Sequence, residues 1–360
     1  MYSETDLQSA VSAGAISPEA ADALRAHVST VRQSPMVDEE QFRLITGFND
    51  IFVAIAIVIM LVAVGGIGQA ITPIMDGPPP FAGLFVAGAA WGLAEFFTRR
   101  RRMALPSIIL LIAFLGGLFE ALLGFGFLSN VFDGGDGGLN DTAAALWVAG
   151  SAVLTAFGAW LHWRRFKVPI TVAGGAAAVA ATIVALIASA IGPENANIPD
   201  IMLAIVFVLG LGVFAFAMWW DMSDRARETR RSDVAFWLHL LAAPMIAHPL
   251  FSLTGVTDGR LAGVPGALGV IGVYLAFAVV ALAVDRRALL VSALAYVLYA
   301  VTQLFQEFGV VELNIALTAF VIGSALLTLS AFWTPIRNAV VNRLPGTLQA
   351  RLPLSHLAMA

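Results

Sequence analysis

The sequence predicts an all-α, polytopic membrane protein with about ten transmembrane helices. Three observations carry that prediction. Of 360 residues, 59% are hydrophobic and only 12% charged, against about 25% charged in soluble domains. That is too little charge to cover a water-exposed surface. Long apolar stretches recur along nearly the whole chain, on the scale of the ~20 residues that cross a bilayer as a helix. Barrel strands would instead alternate in segments of about ten residues. Divided into ten spans, the chain places 19 of its 20 Lys and Arg residues on one side, as the positive-inside rule demands.

Residues 1–47 precede the first span and read as a cytosolic helical segment. "MYSETDLQSAVSAGAISPEA" is polar and has no early apolar run, so a cleaved signal peptide is not expected. Ser17 is a candidate N-cap, followed by Pro18 at the first helical position and Glu19 near the positive end of the dipole. Ala20, Leu24, Val28 and Val31 then recur at helical spacing. Either this stripe packs against its own segment, or residues 17–31 form a docking face for a protein partner or a second copy. So short a segment buries little core alone.

The membrane domain spans residues 48–334. Its helices are expected at roughly 49–73, 81–98, 103–129, 142–162, 168–192, 201–221, 232–254, 265–284, 288–306 and 312–334. Connections on one side are "TRRRR", "HWRRFK", "DRARETRR" and "DRR"; those on the other include "MDGPPP", "DGGDGG" and "GPENANIPD". With an even count, both termini share the arginine-rich side, expected to be cytoplasmic. Arg260 is the one exception. Residues 335–360 form a cytosolic tail. In it Ile336, Val340, Val341 and Leu344 fall on one face, which suits a helix lying on the leaflet or the frayed end of the tenth span.

Two parallel four-helix repeats, helices 1–4 and 7–10 joined by a helix pair, are also expected. "GFNDIFV" and "RRSDVAF" begin helices 1 and 7, aligning Asp50 with Asp233. Helices 3 and 9 share an Arg pair, then Ser107 or Ser292, then Leu-Phe-Glu or Leu-Phe-Gln. In helices 4 and 10, Gly150, Ser151, Thr155 and Trp160 match Gly323, Ser324, Thr328 and Trp333 at one constant offset. Copies separated by six helices share an orientation, the parallel-repeat class of membrane proteins.

Ionisable groups in hydrocarbon are costly and normally face protein or a water-filled cavity. Glu120, His239, His248, Gln303 and Gln306 form the candidate intramembrane polar site. Glu120 aligns within one residue of Gln306. Gln69 and Glu307 lie near the outer side with Glu120, and Asp50, Glu95, His162 and Asp233 near the inner side with His239; for Asp50, Glu95, His162, Asp233 and Glu307 a membrane-boundary position is the first reading and a part in a solute path or proton relay the second. Tyr296, Tyr299 and Thr302 recur every third residue and either line the same space or form a packed stripe. "FWLHLLAAPMIAHPLF" holds both His239 and His248 with Pro244 and Pro249. The histidines are about 900° apart on an ideal helix, so they are not a same-face metal pair. Prolines remove backbone bonds, so this helix is expected to be bent or interrupted. His248 is expected to face the interior, with Glu120 as its partner. Helix 5 has small-residue spacing at Gly174, Ala178, Ala181 and Ala185, a tight-packing signal.

Absent motifs narrow the function. With no cysteine, disulfides and thiolate metal sites are excluded. No nucleotide-binding or catalytic signature is present, so an enzyme is not the expected class and no cofactor follows from the sequence. A bis-histidine haem on His162 and His239 has only shared depth in its favour. Arginines cluster only beside spans, so nucleic-acid binding gains no support; the expected partner is the lipid bilayer.

Gly14–Val28 ("GAISPEAADALRAHV"), "GFNDIFV" and "FWLHLLAAP" together resemble families of multi-pass bacterial inner-membrane proteins with a short helical cytosolic N-terminal segment. The resemblance implies the bacterial inner membrane and about ten spans, but no activity or site residue. Two functions compete. One is a transporter or channel-like protein using the intramembrane polar groups. The other is a membrane scaffold or sensor acting through the N-terminal segment.

Overall fold

A computed structural model describes residues 4–24, 48–72, 76–132, 139–192, 195, 197–225, 227, 229–253, 255, 263–307 and 314–353. Every regular element among them is helical. The chain divides into two compact units, Met1–Arg43 and Leu44–Ala360.

In the first unit, α1 spans Glu4–Ser12, and residues 18–24 form α2. Ser17 caps α2 as its sequence predicts, its Oγ accepting from Ala20 N at 3.1 Å. The carboxyl of Glu19 is held below its ordinary pKa by backbone and Ser17 hydrogen bonds. The apolar stripe differs from expectation: Ala21 is buried, while Ala20 and Leu24 are exposed. Val28 and Val31 lie outside the described residues. Helix α1 had no capping signal to announce it.

The second unit contains α3 (Phe48–Ile71), α4 (Pro80–Ala94), α5 (Ala104–Leu128), α6 (Leu139–Phe166), α7 (Ile170–Ile191) and α8 (Ile198–Met222). It continues with α9 (Arg230–Ser252), α10 (Gly263–Val284), α11 (Ala288–Glu307), α12 (Asn314–Ala331), α13 (Trp333–Val341) and α14 (Gly346–Gln349). Helix α4 ends in a π turn over Glu95–Arg100. Eight helices, α3 to α10, are each long and apolar enough to cross a bilayer. Helix α11 is apolar over a shorter stretch, Ala293–Gln306, and α12 meets α13 at a 73° bend.

Side chains that water would not tolerate cover the outside. Phe48, Phe52, Ile59 and Val62 of α3 are 65–82% exposed, which fits contact with lipid. Inside, one apolar cluster joins α3, α4 and α5, centred on Ile57, Ala90 and Leu110. Another joins α7, α8 and α9 through Val213, Val234 and Leu238. A third joins α9, α10, α11 and α13 through Phe251, Val270, Ala293 and Trp333.

The spacing between α4 and α5 is set by glycine. A Cβ on Gly83 would lie 2.5 Å from Gly117 O and 2.6 Å from Ala121 N. The reciprocal Cβ on Gly117 would lie 2.7 Å from Gly83 O. The backbones therefore touch, the arrangement that small residues permit in membranes. In α7, where the sequence shows small-residue spacing, Ala178 and Ala185 are buried but Ala181 is exposed.

Four turns at the arginine-rich end are closed by non-glycine residues with positive φ: Arg102 at 54°, Lys167 at 56°, Arg227 at 58° and Asp285 at 59°. Each sits between consecutive helices, α4–α5, α6–α7, α8–α9 and α10–α11. The left-handed conformation costs an ordinary residue roughly 1–2 kcal/mol.

Helix α9 runs unbroken through Pro244 and Pro249, so the interruption expected from the two prolines is not found. Half of its apolar window is buried, with Ala242, Ala243 and Ala247 fully enclosed. Packing of its buried face holds the helix where the missing backbone bonds alone would open it, although Pro244 itself is exposed. The tail also differs from expectation. Helix α13 turns its apolar residues Ile336 and Val340 onto the protein core, and Arg337 is buried rather than facing water.

Candidate functional site

Two polar constellations lie in the bundle, at opposite depths. The first closes the arginine-rich end. Asp221, in the last turn of α8, accepts from Arg286 Nη2 at 2.5 Å and from His239 Nε2 at 2.9 Å. All three residues are buried. Arg286 also donates to Ser232 O and Oγ at 3.0 and 3.1 Å. Because a carboxylate only accepts, His239 carries its proton on Nε2; its Nδ1 is buried without a partner among the described residues.

Next to it, Asp285 accepts from Arg227 Nη1 at 2.9 Å and from Trp333 Nε1 at 2.7 Å. Arg225 donates to Leu352 O at 2.9 Å and Arg337 to Pro353 O at 2.9 Å. The arrangement staples α8, α9, α11, α13 and residues 352–353 together. Among the described residues, each carboxylate and guanidinium in it has a protein partner, and His239 Nδ1 is the ring nitrogen left over.

The second constellation is a groove of about 480 Å³ between α3, α4 and α5. Leu61, Gly65, Gly66, Ala82 and Val86 line it together with Gln69, and Glu120 is the one acid among its described lining residues. Glu120 lies sixteen residues into α5, roughly 24 Å along the helix from the arginine-rich end. It is half-buried, and no hydrogen bond or ion pair reaches its carboxyl group among the described residues. The groove exists because two successive residues of α3 lack side chains. A Cβ on Gly65 would meet Val86 at 3.2 Å, and one on Gly66 would meet nothing within 4 Å. A carboxyl in an apolar groove, with no partner among the described residues to compete for it, can take up a proton or a small cation and release it again.

The five expected site residues are not brought together. His239 belongs to the Asp221–Arg286 cluster, and Glu120 to the groove. His248 lies on the exposed side of α9, where its Nδ1 is 2.7 Å from Tyr296 Oη; the expected bond to Glu120 is absent among the described residues. Gln303 is half-buried and Gln306 exposed on α11. Tyr296 stacks on Phe251 with ring centroids 4.5 Å apart, and Thr302 bonds Thr318 at 3.3 Å, so these belong to packing. His162 is enclosed by Trp91, Phe114 and Phe166, with its Nδ1 3.2 Å from Thr171 Oγ1. Glu95 pairs bidentately with Arg165.

No cluster of three or more metal-ligating residues occurs among the described residues. Sequence reasoning missed Asp221, Arg286 and Asp285, which resemble the topological charges around them. Comparison of the chain with protein-family profiles, curated proteins and solved structures gives no match.

Proposed function

We propose that the chain is a ten-span bacterial inner-membrane transporter or channel-like protein that passes protons or a small cation, with Glu120 as the working group. The observation that carries this reading is an unpartnered carboxyl on the wall of an open groove, deep in a spanning helix. Intramembrane acids are by default functional candidates because their burial is costly. Helices α11 and α12 stand where the ninth and tenth spans are expected, which supports the count of ten. An even count returns both termini to the arginine-rich, cytoplasmic side.

The repeat also gains support. In both α3–α6 and α9–α12 the first helix touches the second and third, the second touches the third, and the third touches the fourth. Thr155 donates to Ser151 O at 2.8 Å and its counterpart Thr328 to Ser324 O at 2.7 Å. The copies diverge at their ends: α6 continues through Trp160, whereas the chain bends before Trp333. The scaffold or sensor reading, acting through residues 17–31, draws on the separate compact unit Met1–Arg43.

Hydrophobic carbodiimides add to protonated carboxyls in apolar surroundings. Dicyclohexylcarbodiimide is therefore expected to modify the peptide containing Glu120, and Glu120→Gln to remove that mass shift. Gly66→Leu fills the groove and should slow the modification about tenfold while leaving the protein folded. Helix propensity even favours that change, by up to about 1 kcal/mol. No modification at Glu120, or an unchanged rate in Gly66→Leu, would sink the assignment of the groove.

A further inference from the structure

We infer that the arginine-rich end of the α4–α7 half is a binding surface for anionic phospholipid headgroups. Seven cations stand where two helices turn: Arg99 and Arg100 in the π turn that ends α4, with Arg101 and Arg102 after it, and Arg164 and Arg165 in the last turn of α6, with Lys167 just after it. All seven are exposed. Glu95 joins the two turns into one patch. It accepts from Arg165 Nε at 2.7 Å and Nη2 at 2.9 Å, and from Arg99 Nη1 at 3.3 Å. Among the described residues, the other acid near this end, Asp50 in the first turn of α3, is buried. Arg100, Arg101, Arg102, Arg164 and Lys167 have no carboxylate partner among the described residues.

The remaining half handles its charge differently. Arg225, Arg227, Arg286 and Arg337 all spend their donors on protein oxygens. Arg230 and Arg231 are exposed there, but Asp224 and Asp233 share their turn. Arg343 and Arg351 are exposed in this half as well. Topology alone asks for positive loops on one side; it does not ask for four arginines of one half to be spent on protein oxygens while five of the seven cations at the other two helix ends stand without a carboxylate partner among the described residues.

The depth of the patch selects the occupant. Arg164 lies over the Trp160 ring at 5.0 Å, Lys167 over Trp163 at 5.2 Å and Arg101 over Phe96 at 5.4 Å. Trp160 and Phe96 are themselves 48% and 42% exposed. Tryptophans at span ends sit at headgroup level, so these cations face lipid phosphates while the rings beneath them face acyl chains. Basic clusters between spans bind anionic headgroups in this way. An acidic protein would reach the charges but leave the rings uncovered. Glu120 lies far along α5 from this surface, so the inference stands apart from the proposed function.

The test uses the full chain purified in a neutral detergent and supplied with phosphatidylglycerol, phosphatidylcholine or inorganic phosphate. Lipid retention is read by native mass spectrometry and stabilisation by thermal unfolding. Phosphatidylglycerol should be retained about tenfold over phosphatidylcholine, and salt should erode that preference. The triple variant Arg101→Gln, Arg102→Gln, Lys167→Gln should lose the preference. The charge-matched triple Arg230→Gln, Arg231→Gln, Arg343→Gln should keep it. The inference is overturned if both triples lose it equally, or if inorganic phosphate stabilises as well as the lipid. It also fails if the wild-type protein shows no preference, or one that salt does not touch; this arm decides even where a variant does not fold.

Discussion

Arg286→Ala is expected to destabilise the bundle by about 3–5 kcal/mol, the usual cost of leaving one member of a buried ion pair unanswered. Asp221 would lose two hydrogen bonds at once, those from Arg286 Nε and Nη2, and retain only the one from His239. The Ser232 oxygens would lose their donor too. Because the cluster joins the end of α8 to the α9 and α11 starts, the loss should lower the unfolding midpoint of the whole α8–α11 region. The partner change Asp221→Leu with Arg286→Met removes both charges and fills similar volume. Such replacements are often neutral or stabilising, so the double variant should be more stable than either single one. Denaturant unfolding in detergent checks this. A double variant as unstable as the sum of the singles would mean the residues do not act as a pair.

Gly83→Leu should be the second large effect, about 3 kcal/mol, the upper end of the usual cost of overpacking. Its Cβ alone would come within 2.5 Å of Gly117 O, and that atom is backbone, which cannot swing aside. The two helices must separate, and the apolar cluster they share with α3 must open. Gly66→Leu is the matched control: the same chemical change in a spanning helix, where a Cβ meets nothing within 4 Å. Equal thermal stability in the two variants would contradict the close approach of α4 and α5.

The helices were legible because hydrophobic length and turn chemistry are local properties. Expected spans such as 103–129 and 232–254 match α5 and α9 to within a few residues. Helix α6 runs further than expected, to Phe166, because its last turn carries Trp163, Arg164 and Arg165. Those residues read as loop until their pairing with Glu95 and Trp160 is seen. The unbroken α9 illustrates the opposite limit. Proline chemistry is local, but the packing that overrides it comes from residues far away in sequence.

The candidate site was legible only in part. Glu120 stood out because an acid amid apolar residues is conspicuous. Its groove did not, because a groove is made by what Gly65 and Gly66 lack. His239 was visible too, but its partners Asp221 and Arg286 lie 18 and 47 positions away and look like ordinary span-end charges. The left-handed turns at Arg102, Lys167, Arg227 and Asp285 carry no glycine to reveal them.

As proposed, Glu120 carries a proton or small cation through this protein. This role is tested most directly in proteoliposomes loaded with a pH-sensitive dye, with a potassium diffusion potential driving protons inward. Parallel vesicles report sodium and potassium flux. The wild-type protein is expected to pass at least one of these ions well above empty vesicles, and folded Glu120→Gln to fall to the empty-vesicle rate. Flux in Glu120→Gln equal to wild type, or no wild-type flux of any of the three ions, would contradict a conducting role for Glu120.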